Sequence, residues 1–123
     1  MDGPILIVDD EPKIHRLLST YLRGKGFQTQ EAQNGVEALH LIKTVPPALI
    51  ILDITMPVMN GCDLLKFLKT HPTLCRTPVI MLTAKTEPDA LGEGITLGAD
   101  FYLPKPVKLE NLLAFIELTL KTS

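Results

Sequence analysis

One stretch constrains this chain more than any other: residues 48–61, ALIILDITMPVMNG. The apolar run from Ala48 to Leu52 stops at Asp53, and Pro57, Asn60 and Gly61 follow. A short, β-rich apolar run bounded by turn residues reads as a strand covered on both faces, hence a central strand of a parallel sheet. A carboxylate inside such a strand would be costly to bury, so Asp53 belongs at its C-terminal end. In open α/β sheets, ligands bind along that edge.

The rest of the chain alternates in the same way. Ile5, Leu6, Ile7 and Val8 form a first strand that runs into Asp9, Asp10 and Glu11. Pro12 suits a first helical turn, with Asp10 or Glu11 near the cap. Ile14, Leu17, Leu18, Tyr21 and Leu22 then give an apolar stripe at helical spacing, which Gly24 and Gly26 stop. Residues 27–31 read as a short, polar edge strand. Asn34 and Gly35 start a second helix carrying Val36, Leu39 and Ile42, and Pro46 and Pro47 end it. After the central strand, Leu64, Leu65, Phe67 and Leu68 mark a third helix, closed by His71 and Pro72. Residues 78–82 (PVIML) are a second continuous apolar strand, ending at Thr83.

Residues 87–97 predict a fourth helix, short or labile because Gly92 and Gly94 lie inside it. Each internal glycine costs about 1 kcal/mol relative to alanine. Phe101, Tyr102 and Leu103 form a fifth strand before Pro104, Lys105 and Pro106. A last helix carries Leu109, Leu112, Leu113, Ile116 and Leu120. Phe115 and Leu118 lie beside that stripe, as part of a wide core face or of a partner surface. Five β-α units with short loops imply a parallel sheet covered by helices on both sides.

Composition bounds the function. A length of 123 residues suits one domain, spanning 1–123, with 46% hydrophobic and 21% charged residues. The net charge of −2 leaves no electrostatic footprint for nucleic acid or anionic lipid, so neither direct nucleic acid binding nor membrane association is expected. No apolar run approaches the ~20 residues needed to span a bilayer. Acids on both sides of the first apolar run are wrong for a signal peptide. Cys62 and Cys75 form no metal pattern or disulfide framework, and read as reduced thiols of a cytoplasmic protein. His15, His40 and His71 share no metal-binding or catalytic spacing.

Right-handed crossovers put every strand C-terminus on one edge. With strand order 2-1-3-4-5, Asp9, Asp10, Asp53, Thr83 and Lys105 would converge there. Carboxylates so close repel one another, and hard oxygen donors with room for water favour Mg²⁺. A carboxylate nucleophile beside Mg²⁺, an ammonium and a hydroxyl has the parts for phosphoryl transfer onto Asp.

The segments DD, ILDITMPVMNG, VIMLTA and GADFYLPKP resemble, in order and over essentially the whole chain, the signature segments of response-regulator receiver domains. The resemblance implies a flavodoxin-like three-layer fold, an α/β architecture whose five-stranded parallel sheet has order 2-1-3-4-5 with five helices. It also implies a phosphorylation switch in two-component signalling, fed by a histidine kinase or a histidine phosphotransfer protein and acting on a downstream target or output domain. Asp53 would be the phosphoacceptor. Asp10, with Asp9 mainly through water, Asp53 and the backbone carbonyl of Thr55 would hold Mg²⁺. Lys105 would pair with a phosphoryl oxygen, and Lys105–Pro106 would be cis. Thr83 and Tyr102 would be the switch pair, biasing the surface of the fourth helix, fifth strand and last helix.

Such a domain catalyses only its own phosphotransfer and autodephosphorylation and is not an enzyme. The resemblance also implies that side chains at the positions of Thr55 and Lys85 can meet the water that attacks the acyl phosphate, and so would bear on its lifetime. The alternative is a small Mg²⁺-dependent phosphatase of the aspartyl-nucleophile type. Those enzymes place the nucleophile after the first strand with a second Asp two residues on, where this chain has Thr55. A flavin-binding module would need a phosphate loop where this chain has three acids.

Overall fold

The computed structural model describes residues 3–53, 61–72, 74–84 and 100–121. Strands β1 (Ile5–Val8), β2 (Thr29–Ala32), β3 (Leu49–Asp53), β4 (Val79–Ala84) and β5 (Phe101–Lys105) alternate with helices α1 (Pro12–Gly24), α2 (Gly35–Thr44) and α3 (Gly61–Thr70). Helix α4 (Leu109–Lys121) follows β5. The predicted helix over residues 87–97 lies outside the described residues. The strands form one parallel sheet in the order β2-β1-β3-β4-β5. The flavodoxin-like sheet order is therefore the observed one.

Strand alternation divides the core into two layers. Ile5, Ile7, Leu49, Ile51, Ile80, Leu82 and Leu103 pack with Leu18 and Leu22 of α1 and with Leu112 and Ile116 of α4. The intervening residues Leu6, Val8, Ile50, Leu52, Val79 and Met81 pack with Ala38 and Ile42 of α2 and with Leu64 and Leu68 of α3. Every residue from Leu49 to Leu52 is fully buried, as a strand covered on both faces requires. Among the described residues, no helix is long and apolar enough to cross a membrane.

Three local expectations need correction. The buried stripe of α1 is His15, Leu18, Ser19 and Leu22, while Leu17 faces out at 47% exposure. In α2 the buried residues are Gly35, Ala38 and Ile42, and Val36 is exposed. In α1 the polar pair can be buried because each member has a partner. Ser19 Oγ donates to Glu31 Oε1 of β2 at 2.6 Å, and His15 Nε2 donates to the Asp9 carbonyl. Finally, β2 begins at Thr29 rather than Phe27. The Phe27 N–H is spent on Leu22 O, closing the end of α1 through Gly26, whose φ of 93° suits glycine.

Helix ends and the last helix follow from simple chemistry. Asn34 caps α2, its side-chain oxygen accepting from Glu37 N at 2.9 Å. Phe115 packs against the α1–α4 layer, its ring 4.4 Å from that of Phe101, which is the wide-core reading of that residue. Leu118 is 55% exposed.

Candidate functional site

The register of the sheet builds the site. Val8 is level with Leu52 across the β1–β3 ladder, so Asp9 and Asp53, the next residues, leave the strands side by side. Asp53 is level with Leu82, and Leu82 with Leu103, so Lys105 lies two residues further along β5. Asp9, Asp53 and Lys105 share the alternation of Ile7, Ile51 and Leu103, which places all three on the α1–α4 side of the sheet.

The side chains meet. Lys105 Nζ is 3.2 Å from Asp9 Oδ2, 3.4 Å from Asp53 Oδ1 and 3.7 Å from Glu11 Oε1. Asp9 and Asp53 are both buried, whereas Asp10 is exposed. Burial alone would lower the Lys105 ammonium, but the Asp53 and then the Asp9 carboxylates outweigh it and hold its pKa above the usual 10.5. Two buried carboxylates against one ammonium leave an excess negative charge at the strand ends.

The loop carrying the acids is fixed from several directions. Asp9 N donates to Ala32 O at 3.1 Å, and Asp9 Oδ1 accepts from Glu11 N at 2.9 Å. His15, one turn into α1, reaches back to the Asp9 carbonyl. Sequence reasoning missed His15 because it set the histidines aside for lack of mutual spacing. The available signal was its place three and seven residues before Leu18 and Leu22, on their helix face. The sequence offers Glu11 as an acid of the first loop and a candidate cap, with nothing to pair it with Lys105. It is the N-cap of α1 but caps nothing with its side chain, which lies instead against Lys105.

One oxygen from each of Asp9, Asp10 and Asp53 lies within 4.8 Å of the others, an all-oxygen donor set of the kind hard divalent cations accept. Asp9 Oδ2 strengthens the fit. It is buried and forms no aligned hydrogen bond among the described residues, meeting only the Lys105 ammonium as an ion pair.

The remaining predicted residues are distributed more widely. The Lys105–Pro106 peptide is cis. Thr83 is level with Pro104 on β4, one residue past Leu82. Tyr102 is half-buried against the α2–α3 layer, on the opposite face of β5 from Lys105. Thr55 and the side chain of Thr83 lie outside what is described.

The chain is 42% identical over 117 residues to the regulatory protein AtoC of Escherichia coli (strain K12), a match covering 95% of the chain and 25% of AtoC. It is 38% identical over 117 residues to the DNA-binding response regulator MtrA of Mycolicibacterium smegmatis, covering 95% of the chain and 50% of MtrA. The chain thus spans half or less of these curated relatives. Among solved structures, the signal receiver domain of a signal transduction histidine kinase from Syntrophus aciditrophicus superposes with a TM-score of 0.92. Its sequence identity is 36%, and the match covers 98% of this chain and 92% of that one.

These relatives correct the expectation of no direct nucleic acid binding. A protein named for DNA binding carries a stretch closely similar to this one. A net charge of −2 on such a stretch therefore does not exclude nucleic acid as a partner of the proteins that contain it. The family model described as response regulator receiver domain matches residues 5–117. With its 2-1-3-4-5 sheet and its acids gathered where β1 and β3 end, the chain belongs to the response regulator receiver domains.

Proposed function

We propose that the chain is a phosphorylation-activated switch in which Asp53 accepts a phosphoryl group from a phosphohistidine donor, a histidine kinase or a histidine phosphotransfer protein. One observation carries this reading: a buried strand-end carboxylate, Asp53, lies 3.4 Å from a half-buried ammonium that a second buried acid also holds. A carboxylate oxygen of Asp53 attacks phosphorus as the phosphorus–nitrogen bond of the donor breaks. The imidazole nitrogen keeps the electron pair and takes a proton from solvent. The product is an acyl phosphate, and Lys105 then turns from the carboxylates to a phosphoryl oxygen.

Asp9, Asp10, Asp53 and the carbonyl of Thr55 are the groups that would hold Mg²⁺. When bound, the ion offsets the charge of carboxylates and phosphoryl oxygens that would otherwise repel. Thr83 and Tyr102 carry the change outward to the surface around β5 and α4, where a target protein or output domain reads it. Since MtrA is named as a DNA-binding response regulator, DNA is one partner that the protein carrying this domain would act on. The domain supplies only its own phosphotransfer and dephosphorylation, and acts in the cytoplasm.

Incubation with Mg²⁺ and a small acyl-phosphate donor, beside Asp53→Asn, tests the reading by intact mass. A gain of one phosphate in the parent and none in the variant is expected. Equal labelling of both, or of neither, would overturn it. Sustained turnover of a phosphate ester would point instead to the phosphatase.

A further inference from the structure

Among the described residues, three carboxylates lie around Lys105, and they differ in kind. Those of Asp9 and Asp53 are buried at the strand ends, whereas the Glu11 side chain is 59% exposed and meets the ammonium from the solvent side at 3.7 Å. Its backbone is held at both ends. The Glu11 N–H donates to Asp9 Oδ1, and its carbonyl accepts from Ile14 N at 3.1 Å and His15 N at 3.3 Å. The carboxylate therefore hangs from a fixed point beside Lys105, and no helix-capping bond engages it.

We infer that Glu11 is a positioning residue that restrains Lys105 and sets an electrostatic threshold for phosphoryl entry. The inference rests on Asp53 being the phosphoacceptor. A doubly charged phosphoryl group nearing Asp53 must win the ammonium from its carboxylates. Asp9 and Asp53 belong to the site in both states. Of these three, Glu11 is the one on the solvent side, where it competes for Lys105 and repels the incoming anion. Removing its charge relieves both effects while leaving the buried cluster intact. Because Glu11 is exposed, its influence is modest and screened by salt.

The test is the rate of Asp53 phosphorylation by a small acyl-phosphate donor, at saturating Mg²⁺ and donor well below saturation. In about 0.1 M salt, Glu11→Gln and Glu11→Ala should label about two- to fivefold faster than the parent, the range an exposed charge contact supports. The gain should appear in the half-saturating donor concentration rather than the limiting rate. In about 1 M salt, where the screening length is ~3 Å, the rates should converge. Glu11→Asp, which keeps the charge, should stay within about twofold of the parent, inside the spread of such contacts.

A Glu11→Gln rate equal to or below the parent's, a gain that survives high salt, or a Glu11→Asp rate matching Glu11→Gln would overturn the inference. Failure of the underlying reading looks different: the parent itself would then gain no phosphate, as Asp53→Asn gains none.

Discussion

Lys105 Nζ reaches Asp53 Oδ1, 3.4 Å away, from two residues beyond the level of Asp53 on a strand that is not its neighbour. That overhang is about 6.6 Å of strand, a length a lysine stem folded back over the strand ends can cover. The ammonium thus faces Asp9 and Asp53 at once.

Lys105→Met should cost about 1–3 kcal/mol at neutral pH by leaving buried carboxylate oxygens without their cation. The pH dependence has a definite sign. Folding raises the Lys105 pKa above 10.5, so its contribution is fully present below that value and is lost as pH climbs through the folded one. Urea unfolding at a series of alkaline pH values should therefore show the gap between parent and Lys105→Met narrowing above pH 10.5. A gap that widens there would contradict the ion-pair geometry.

Saturating Mg²⁺ should stabilise the parent, because a ligand at 100 times its Kd adds about 2.7 kcal/mol. Calorimetry should show a rise in Tm of several degrees that chelation reverses, and Asp10→Asn should lose most of it. An equal rise in Asp10→Asn would remove that residue from the cation site.

Ile51 is fully buried in the α1–α4 layer, and Leu17 is 47% exposed on the outer face of α1. Ile51→Ala should cost about 3–5 kcal/mol and Leu17→Ala less than about 1 kcal/mol. Denaturant midpoints for the two variants decide the matter, and similar costs would mean that Leu17 packs inward.

Asn34→Ala should cost about 1 kcal/mol by removing the acceptor for Glu37 N, while Asn34→Asp should be nearly neutral. Thermal melts of the pair separate the cap from any change in bulk.

Strand positions were legible because parallel strands covered on both faces write themselves as unbroken apolar runs, as in residues 49–52. The ends of those runs supplied Asp9, Asp53 and Lys105, and alternation does the rest. The face of α1 was harder to read. Apolar counting favours Leu17 over Ser19 and His15, yet the polar pair is buried because Glu31 and the Asp9 carbonyl lie opposite. Those partners sit on other elements, and one-dimensional periodicity cannot see them. The length of β5 was hidden for a related reason. In the sequence Pro104 reads as a strand end, but an edge strand tolerates a missing N–H where no neighbour needs it. Glu11 escaped notice because an acid before a helical proline already has an ordinary explanation.

Asp9 and Asp53 come out side by side because Val8 and Leu52, to which Asp9 and the last residue of β3 are joined, are paired, so the backbone ladder sets where the two acids emerge. A surface segment could therefore change in length or composition and leave the gauge of the acid pair in place.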